Sequence, residues 1–380
     1  MKILNVYKTY FPDPPGGIQE AIRNISFATT RLNIKNLVFV LSKNAKPSFV
    51  PRDEAEVYRA NAFADPASCE LGSWQAFKMF ARLSKQVDVI QYHFPWPFQD
   101  LLHLFVKPNK PTVLCYHSDI VRQKFLGKLY NRLMWRTLKS VDCIIATSPN
   151  YVDTSTILSN PLIRDKVQVI PLGIDEAHYD FSEDDHVFER INHSCNHRYF
   201  LFLGVFRYYK GLKYLIESAS QVEATIILAG SGPELENMRA YAKKLNCHNV
   251  IFAGQVTQAE KVSLIKNCYA FILPSHLRSE AFGVVLIEAA MMQKPMITCE
   301  IGTGTSYVNQ HQETGFVVNP ENVSQLSEVM NFLIKDSSLA IRMGIHARQR
   351  YEQLFSGNAL GEAYKAVYQQ LLKMNHHDAD

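Results

Sequence analysis

At 380 residues the chain is longer than one hydrophobic core usually serves, so two domains are expected. A composition of 47% hydrophobic and 20% charged residues is that of a soluble globular protein, and the lack of any apolar run of 18 residues excludes a spanning helix. A net charge of +4 is too mild to point to nucleic acid.

Residues 2–6, KILNV, read as a first strand, because MKILNVYKTYF lacks the apolar core and cleavage site of a signal peptide. The seven cysteines, Cys69, Cys115, Cys143, Cys195, Cys247, Cys268 and Cys299, are odd in number, widely spaced and free of C-x-x-C. They indicate neither a disulfide framework nor a zinc ribbon, and fit a reducing cytoplasm. After the loop YFPDPPGG, Ile18, Ala21, Ile22 and Ile25 have helical spacing. Strand, glycine loop and helix can bind phosphate, with Gly17 the candidate. The dinucleotide fingerprint G-x-G-x-x-G is absent, and Gly16–Gly17 can equally be a tight turn.

Apolar strands at 37–41, 87–93, 111–117, 143–148 and 167–173 alternate with helical stretches, the pattern of a parallel α/β sheet covered on both faces. His117 ends the strand PTVLCYH and either faces a ligand or packs and caps. His93, in YHFPWPF, is the alternative, with neighbours that suit sugar stacking or a packed loop equally. Residues 121–142 form a basic amphipathic helix. Phe125, Leu126, Leu129, Tyr130, Leu133 and Met134 share one half of the wheel, and Lys124, Lys128, Arg132, Arg136 and Lys139 the other. It is either a covering helix with a solvated basic face or a contact for anionic lipid. Residues 176–198 are polar and aperiodic and are expected to be the interdomain linker. Their acids with His186, His193 and His197 match no standard metal spacing.

The first domain is therefore placed at 1–175 and the second at 199–355. The second opens with the strand YFLFLG and the helix GLKYLIESAS. Arg207 and Lys210 follow the carboxyl end of that strand, where open parallel sheets bind ligands. A guanidinium fork and a point-charge ammonium suit a diphosphate. The turn GSGP (230–233) joins the next strand and helix, and further strands are expected in NVIFAGQV, CYAFILPS and PMITCEIG. Between the last two lies FILPSHLRSEAFGVVLIEAA (271–290), read as a strand, a polar loop and a buried helix starting near Phe282. Glu280 and Glu288 bracket the turn, about 10–12 Å apart along the axis at ~1.5 Å per residue. Between them the amides of the first turn, at Phe282, Gly283 and Val284, form an anion cradle. Acceptor, cradle and acceptor match the sugar hydroxyls, pyrophosphate and ribose of a nucleotide sugar. The bland alternative is a buried helix with one acid in the loop before it.

This E-x(7)-E stretch resembles the signature of glycosyltransferase family four, the retaining transferases with the GT-B fold. The resemblance covers the second domain and, more weakly, the first. It implies two Rossmann-like parallel-sheet domains facing across a cleft, with residues 356–380 forming a helix and tail that pack back on the first. It implies that Lys210 and Arg207 hold the diphosphate, although Val205 stands where the family usually has arginine. It further implies that Glu280 orients the donor sugar, Glu288 the ribose, and that His117 lines the sugar pocket. Gly230, in a turn resembling the family's G-x-G-P, would line the donor side. Thr303, in the glycine and hydroxyl loop TGTS (303–306), would reach the sugar or phosphates.

GTGTSYV and RYYKG look most like bacterial mannosyltransferases that build O-antigen polysaccharide. The resemblance thus implies transfer of a hexose, mannose from GDP-mannose, to a lipid-linked glycan by a cytoplasmic protein on the inner face of the membrane. No cofactor and no metal are expected, because the single D-x-D, Asp378–Asp380, is in the polar tail. The alternatives are a nucleotide-sugar epimerase of the same fold and a non-catalytic sugar-nucleotide-binding subunit.

Overall fold

The structure is a computed structural model that describes residues 1–13, 16–64, 70–120, 126–192 and 198–377, without the side chains of 126–129 and 376–377. The chain divides into two compact units, Met1–Asp175 with Gly357–Asp380, and Glu176–Ser356.

In the first unit the chain runs β1 (Lys2–Val6), α1 (Gly17–Thr30), β2 (Lys35–Ser42), β3 (Phe49–Pro51), β4 (Glu56–Ala64), β5 (Leu71–Gly72), α2 (Trp74–Ser84), β6 (Val89–Phe94), α3 (Pro97–Val106), β7 (Thr112–Tyr116), α4 (Leu126–Ser140), β8 (Cys143–Ala146), α5 (Pro149–Thr154) and β9 (Val167–Val169). The sheet order is β3-β4-β2-β1-β6-β7-β8-β9, with β5 beside β4. Among the described residues only the β3–β4 and β4–β5 pairs are antiparallel. β6 and β7 are buried at every position, as a sheet covered on both faces requires.

The described part of α4 is a covering helix. Met134 and Leu138 are buried, Trp135 is half-buried, and the Tyr130 hydroxyl donates to Asp100 Oδ2 at 2.6 Å. Arg132, Arg136 and Lys139 are exposed. The exposed aromatics that a lipid-binding α4 calls for are therefore not found among its described side chains. Lys124 and Phe125 lie outside the described residues, as do the side chains of Leu126, Lys128 and Leu129.

The second unit contains α6 (His186–Arg190), β10 (Tyr199–Leu203), α7 (Leu212–Ala219), β11 (Thr225–Ala229), α8 (Leu235–Lys244), β12 (Val250–Gly254), α9 (Gln258–Asn267), β13 (Ala270–Leu273), α10 (Val284–Met291), β14 (Met296–Cys299), α11 (Gly304–Val308), β15 (Gly315–Val318), α12 (Val323–Lys335) and α13 (Ser337–Arg350). Its strands are all parallel, in the order β12-β11-β10-β13-β14-β15. The segment expected as a linker belongs to this unit from Glu176 onward. It is held by specific bonds: Arg190 donates to Ala253 O and Glu260 Oε1, both at 2.6 Å, and the Asp184 amide to Ser263 Oγ at 2.9 Å. His186 Nδ1 lies 3.2 Å from Glu189 Oε2, and His193 and His197 lie outside the described residues.

The last helix, α14 (Gly357–His377), belongs to the first unit and packs on α1. Leu360, Tyr364, Val367, Tyr368 and Leu371 join Ile3, Ile25, Val89 and Val113 in one buried core. Cys115, Cys143, Cys247, Cys268 and Cys299 are free and buried, whereas Cys69 and Cys195 lie outside the described residues. Among the described residues no helix is long and apolar enough to cross a membrane.

Candidate active site

In the second sheet β10 lies between β11 and β13, so the chain turns opposite ways from the carboxyl ends of β10 and β13. Such a switch point leaves room for a ligand between the diverging loops. Lys210 comes from the loop after β10, at the end of a 3-10 turn (Tyr208–Lys210), and Glu280 from the loop after β13. Gly211 (φ +69°) locks the two loops together, since a Cβ there would stand 2.0 Å from Pro274 O. The His276 amide completes the seam by donating to Tyr209 O at 3.0 Å. The Lys210 ammonium donates to Glu280 Oε2, which also accepts from Ser275 Oγ at 3.2 Å. Lys210 is only 8% exposed and forms a buried ion pair with Glu280. Arg207 is exposed and forms no ion pair among the described residues; Val205 beside it is exposed as well.

Glu288 lies inside α10 and is buried. Its Oε1 accepts from the Tyr179 hydroxyl at 3.0 Å and from the Lys261 ammonium at 2.5 Å. Lys261 Nζ also sits 5.3 Å from the Tyr179 ring centroid. Burial, followed by the charge of Glu288, pushes the Tyr179 phenol well above its ordinary pKa, so it remains a donor.

The helix α10 begins at Val284, two residues later than expected. Gly283 is its N-cap at φ +81°, and the Leu286 amide bonds Gly283 O at 2.8 Å. The amides of Val284 and Val285 then have no intrahelical acceptor and remain available to an anion. The Phe282 ring is buried: a Cβ on Gly304 would fall 2.3 Å from its Cδ2. Residues 303–306 open α11 rather than an extended loop. Thr303 is fully buried as its N-cap, with Oγ1 3.4 Å from Thr305 Oγ1. Gly230 has a structural reason to be glycine, since a Cβ there would lie 2.0 Å from Gly204 O. Gly17 is the first residue of α1, in the first unit, and a Cβ there would meet nothing within 4 Å.

In the first unit the two histidines that sequence offers as alternatives stand together. His93 Nδ1 is 3.0 Å from His117 Nε2, and His93 Nε2 is 3.1 Å from Asn5 Oδ1. The Asn5 oxygen also accepts from Gln91 Nε2 at 3.1 Å, and Tyr368 OH donates to Gln91 Oε1 at 2.7 Å. With Asn5 Oδ1 as acceptor, His93 carries its proton on Nε2 and accepts from His117 Nε2–H, which leaves His117 Nδ1 as an acceptor. Burial pushes the His117 pKa down to about 4, and burial with the neighbouring imidazole holds His93 well below its usual value. Both rings are neutral at pH 7.

Sequence reasoning missed Tyr179, Lys261, Ser275, Asn5 and Gln91. Tyr179 lies in the segment taken for a linker and Lys261 on a polar helix. Asn5 and Gln91 are polar residues inside apolar strands, which is a usable signal.

Two parallel-sheet units, with cationic and carboxylate groups at the strand ends of the second, define the GT-B class of glycosyltransferase. Sucrose-phosphate synthase from Thermosynechococcus elongatus has this fold, with a TM-score of 0.79 at 18% identity over 98% of this chain and 99% of that one. So does Anabaena Alr3699/HepE in complex with UDP, with a TM-score of 0.77 at 17% identity over 97% and 100%. Residues 15–178 match the family Glycosyltransferase Family 4, and residues 184–350 match Glycosyl transferases group 1. The O-antigen chain mannosyltransferase C of Escherichia coli is 39% identical over 98% of this chain and 99% of the relative. The D-rhamnosyltransferase WbpZ of Pseudomonas aeruginosa is 43% identical over 94% and 92%. The chain belongs to glycosyltransferase family 4 and is a glycosyltransferase.

Proposed function

We propose that the protein transfers mannose from GDP-mannose to a lipid-linked glycan during assembly of an O-antigen or related bacterial surface polysaccharide. The observation that carries this reading is the buried Lys210–Glu280 pair at the switch point of the second sheet, in a chain similar to an O-antigen chain mannosyltransferase. Lys210, exposed Arg207 and the amides of Val284 and Val285 receive the diphosphate. There they stabilise the charge that grows on the leaving phosphate oxygen. On donor binding Lys210 exchanges the carboxylate of Glu280 for phosphate, which frees Glu280 to accept from the sugar hydroxyls. Glu288, fixed by Tyr179 and Lys261, accepts from the ribose hydroxyls. In the first unit His117 Nδ1 accepts from a sugar hydroxyl. The backbone at Gly230 and Gly283 lines the donor, and Phe282, Thr303 and Gly17 act through the local backbone.

The cations supply the counter-charge, so transfer needs no divalent metal or other cofactor. Asp378 and Asp380 lie outside the described residues. The protein works in the cytoplasm on the inner face of the membrane that holds its acceptor.

The similarity to a D-rhamnosyltransferase favours a second reading, in which the donor sugar is the 6-deoxy analogue of mannose. A site that hydrogen-bonds the 6-hydroxyl rejects the deoxy sugar by about 10⁴. Calorimetric titration with GDP-mannose, GDP-rhamnose and UDP-glucose, in EDTA, tests both. Tight binding of GDP-mannose alone supports the first reading. A preference for GDP-rhamnose supports the second, and a preference for UDP-glucose or a requirement for metal overturns the donor assignment.

A further inference from the structure

Helix α2 has two working stripes. Ala76, Phe80 and Leu83 are buried toward the first unit's sheet. Trp74, Phe77, Lys78, Ala81 and Lys85 line a groove of about 960 Å3, completed by the end of α3 and the turn after it: Phe105, Val106, Lys107, Pro108, Asn109 and Lys110. Trp74 is 69% exposed and Phe105 74%. They flank Phe77, whose ring centroid is 5.9 Å from that of Trp74 and 6.3 Å from that of Phe105. Exposed rings of this size in one continuous cluster on a water-facing surface mark an interaction site. Lys78, Lys85 and Lys107 are exposed around them and Lys110 is half-buried; none of the four forms a salt bridge among the described residues. The groove is lined by four lysines and no carboxylate.

We propose that this aromatic and lysine surface, on α2 and the end of α3, docks the protein on an anionic lipid bilayer. Trp74 and Phe105 enter the interfacial region, and the lysines reach the headgroup phosphates along their apolar stems. Charge complementarity selects this occupant. A second copy using the same patch would set four lysines against four, whereas an anionic leaflet attracts each of them. The groove also removes the difficulty with α4, which offers exposed cations but half-buried aromatics. The surface deepens the membrane association proposed above and rests on it. Vesicle binding is nevertheless read whether or not the protein transfers sugar, so the two ideas fail separately.

The test is sedimentation of the full chain with phosphatidylglycerol-containing vesicles and with pure phosphatidylcholine vesicles. The parent binds the anionic vesicles preferentially, and its tryptophan emission shifts to the blue. Replacing Lys78, Lys85 and Lys107 together by Gln weakens partitioning about a hundredfold, at about fivefold per lysine. Trp74→Ala with Phe105→Ala weakens binding and abolishes the blue shift. Both variants keep the parent's Tm, because the replaced side chains are exposed. Arg132→Gln with Arg136→Gln has a smaller effect than the lysine triple. Variants that sediment like the parent, equal binding to both vesicle types, or a larger loss from the α4 pair overturn the proposal. So does a dimer, seen by sedimentation velocity without lipid, that Trp74→Ala dissociates.

Discussion

Replacing Lys210 by Met keeps the length of the side chain and removes its charge. In the parent the ammonium and the Glu280 carboxylate are paired, with side chains 11% and 12% exposed. The substitution leaves Glu280 with only the Ser275 hydroxyl on that oxygen. Breaking a fully buried pair costs about 3–5 kcal/mol, and residual solvent access at this site brings the expectation to about 2–3 kcal/mol. For a chain of ordinary domain size, at roughly 2–4 °C per kcal/mol, the second unit should melt about 4–12 °C lower. Glu280→Gln retains an acceptor for Ser275 and should destabilise less. The double variant should be more stable than the sum of the single effects by about 1–3 kcal/mol, the coupling of two groups in contact. Urea unfolding of the parent, both singles and the double measures that coupling. Repeating the series with GDP adds the ligand term. At a hundredfold excess over Kd the parent gains about 2.7 kcal/mol, and Lys210→Met gains little at the same concentration. Strictly additive single effects would refute the ion pair. A full GDP-induced gain in Lys210→Met would refute its exchange for phosphate.

Glu288→Gln, which keeps shape and one acceptor, should raise the donor KM with a smaller effect on kcat in steady-state assays, because the ribose is remote from the reacting carbon. On the proposed placement of Glu280 at the sugar, where bonding changes during the reaction, Glu280→Ala should instead lower kcat strongly. His117→Ala should lower kcat/KM about fivefold, the effect of one neutral hydrogen bond of ~1 kcal/mol. Burial pushes the Asp100 carboxyl up to about 7. Its neutral form therefore stabilises the fold fully below pH ~4, the unfolded value, and that contribution is lost as pH rises through 7. Asp100→Asn, which can still accept from Tyr130, should remove a stability loss of up to about 4 kcal/mol between pH 4 and 7 in urea titrations.

The buried parallel strands were legible because each is a predominantly apolar run with a helical stretch close behind. KILNV and YFLFL need no partner to be recognised. β3, β4 and β5 were not: β3 and β5 are only three and two residues long and pair with β4, and β4, whose sequence EVYRANAFA mixes polar and apolar residues, is fixed by its pairing with β2, more than ten residues away. The acids of E-x(7)-E and the basic pair were legible as residue types. Their environment was not, because burial of Lys210 depends on the seam at Gly211 and Pro274, which joins segments far apart in the chain. The start of α10 was missed by two residues because Ala281 and Phe282 suit a helix. Only the left-handed Gly283 and the packing of Phe282 against Gly304 show why the helix begins later. Likewise His93 and His117 read as alternatives in one dimension, and become one pair when β6 lies beside β7, with His93 opposite Cys115.

On the proposed function, Lys210 and Glu280 serve transfer of mannose from GDP-mannose. The direct measurement is incorporation of radiolabelled mannose from GDP-mannose into a lipid-extractable glycan by the purified chain, in EDTA, with GDP-rhamnose and acceptor-free reactions alongside. Acceptor-dependent incorporation of mannose, lowered about 10²–10³-fold by Lys210→Met, is the predicted result. Incorporation from GDP-rhamnose alone, or undiminished transfer by Lys210→Met, would contradict it.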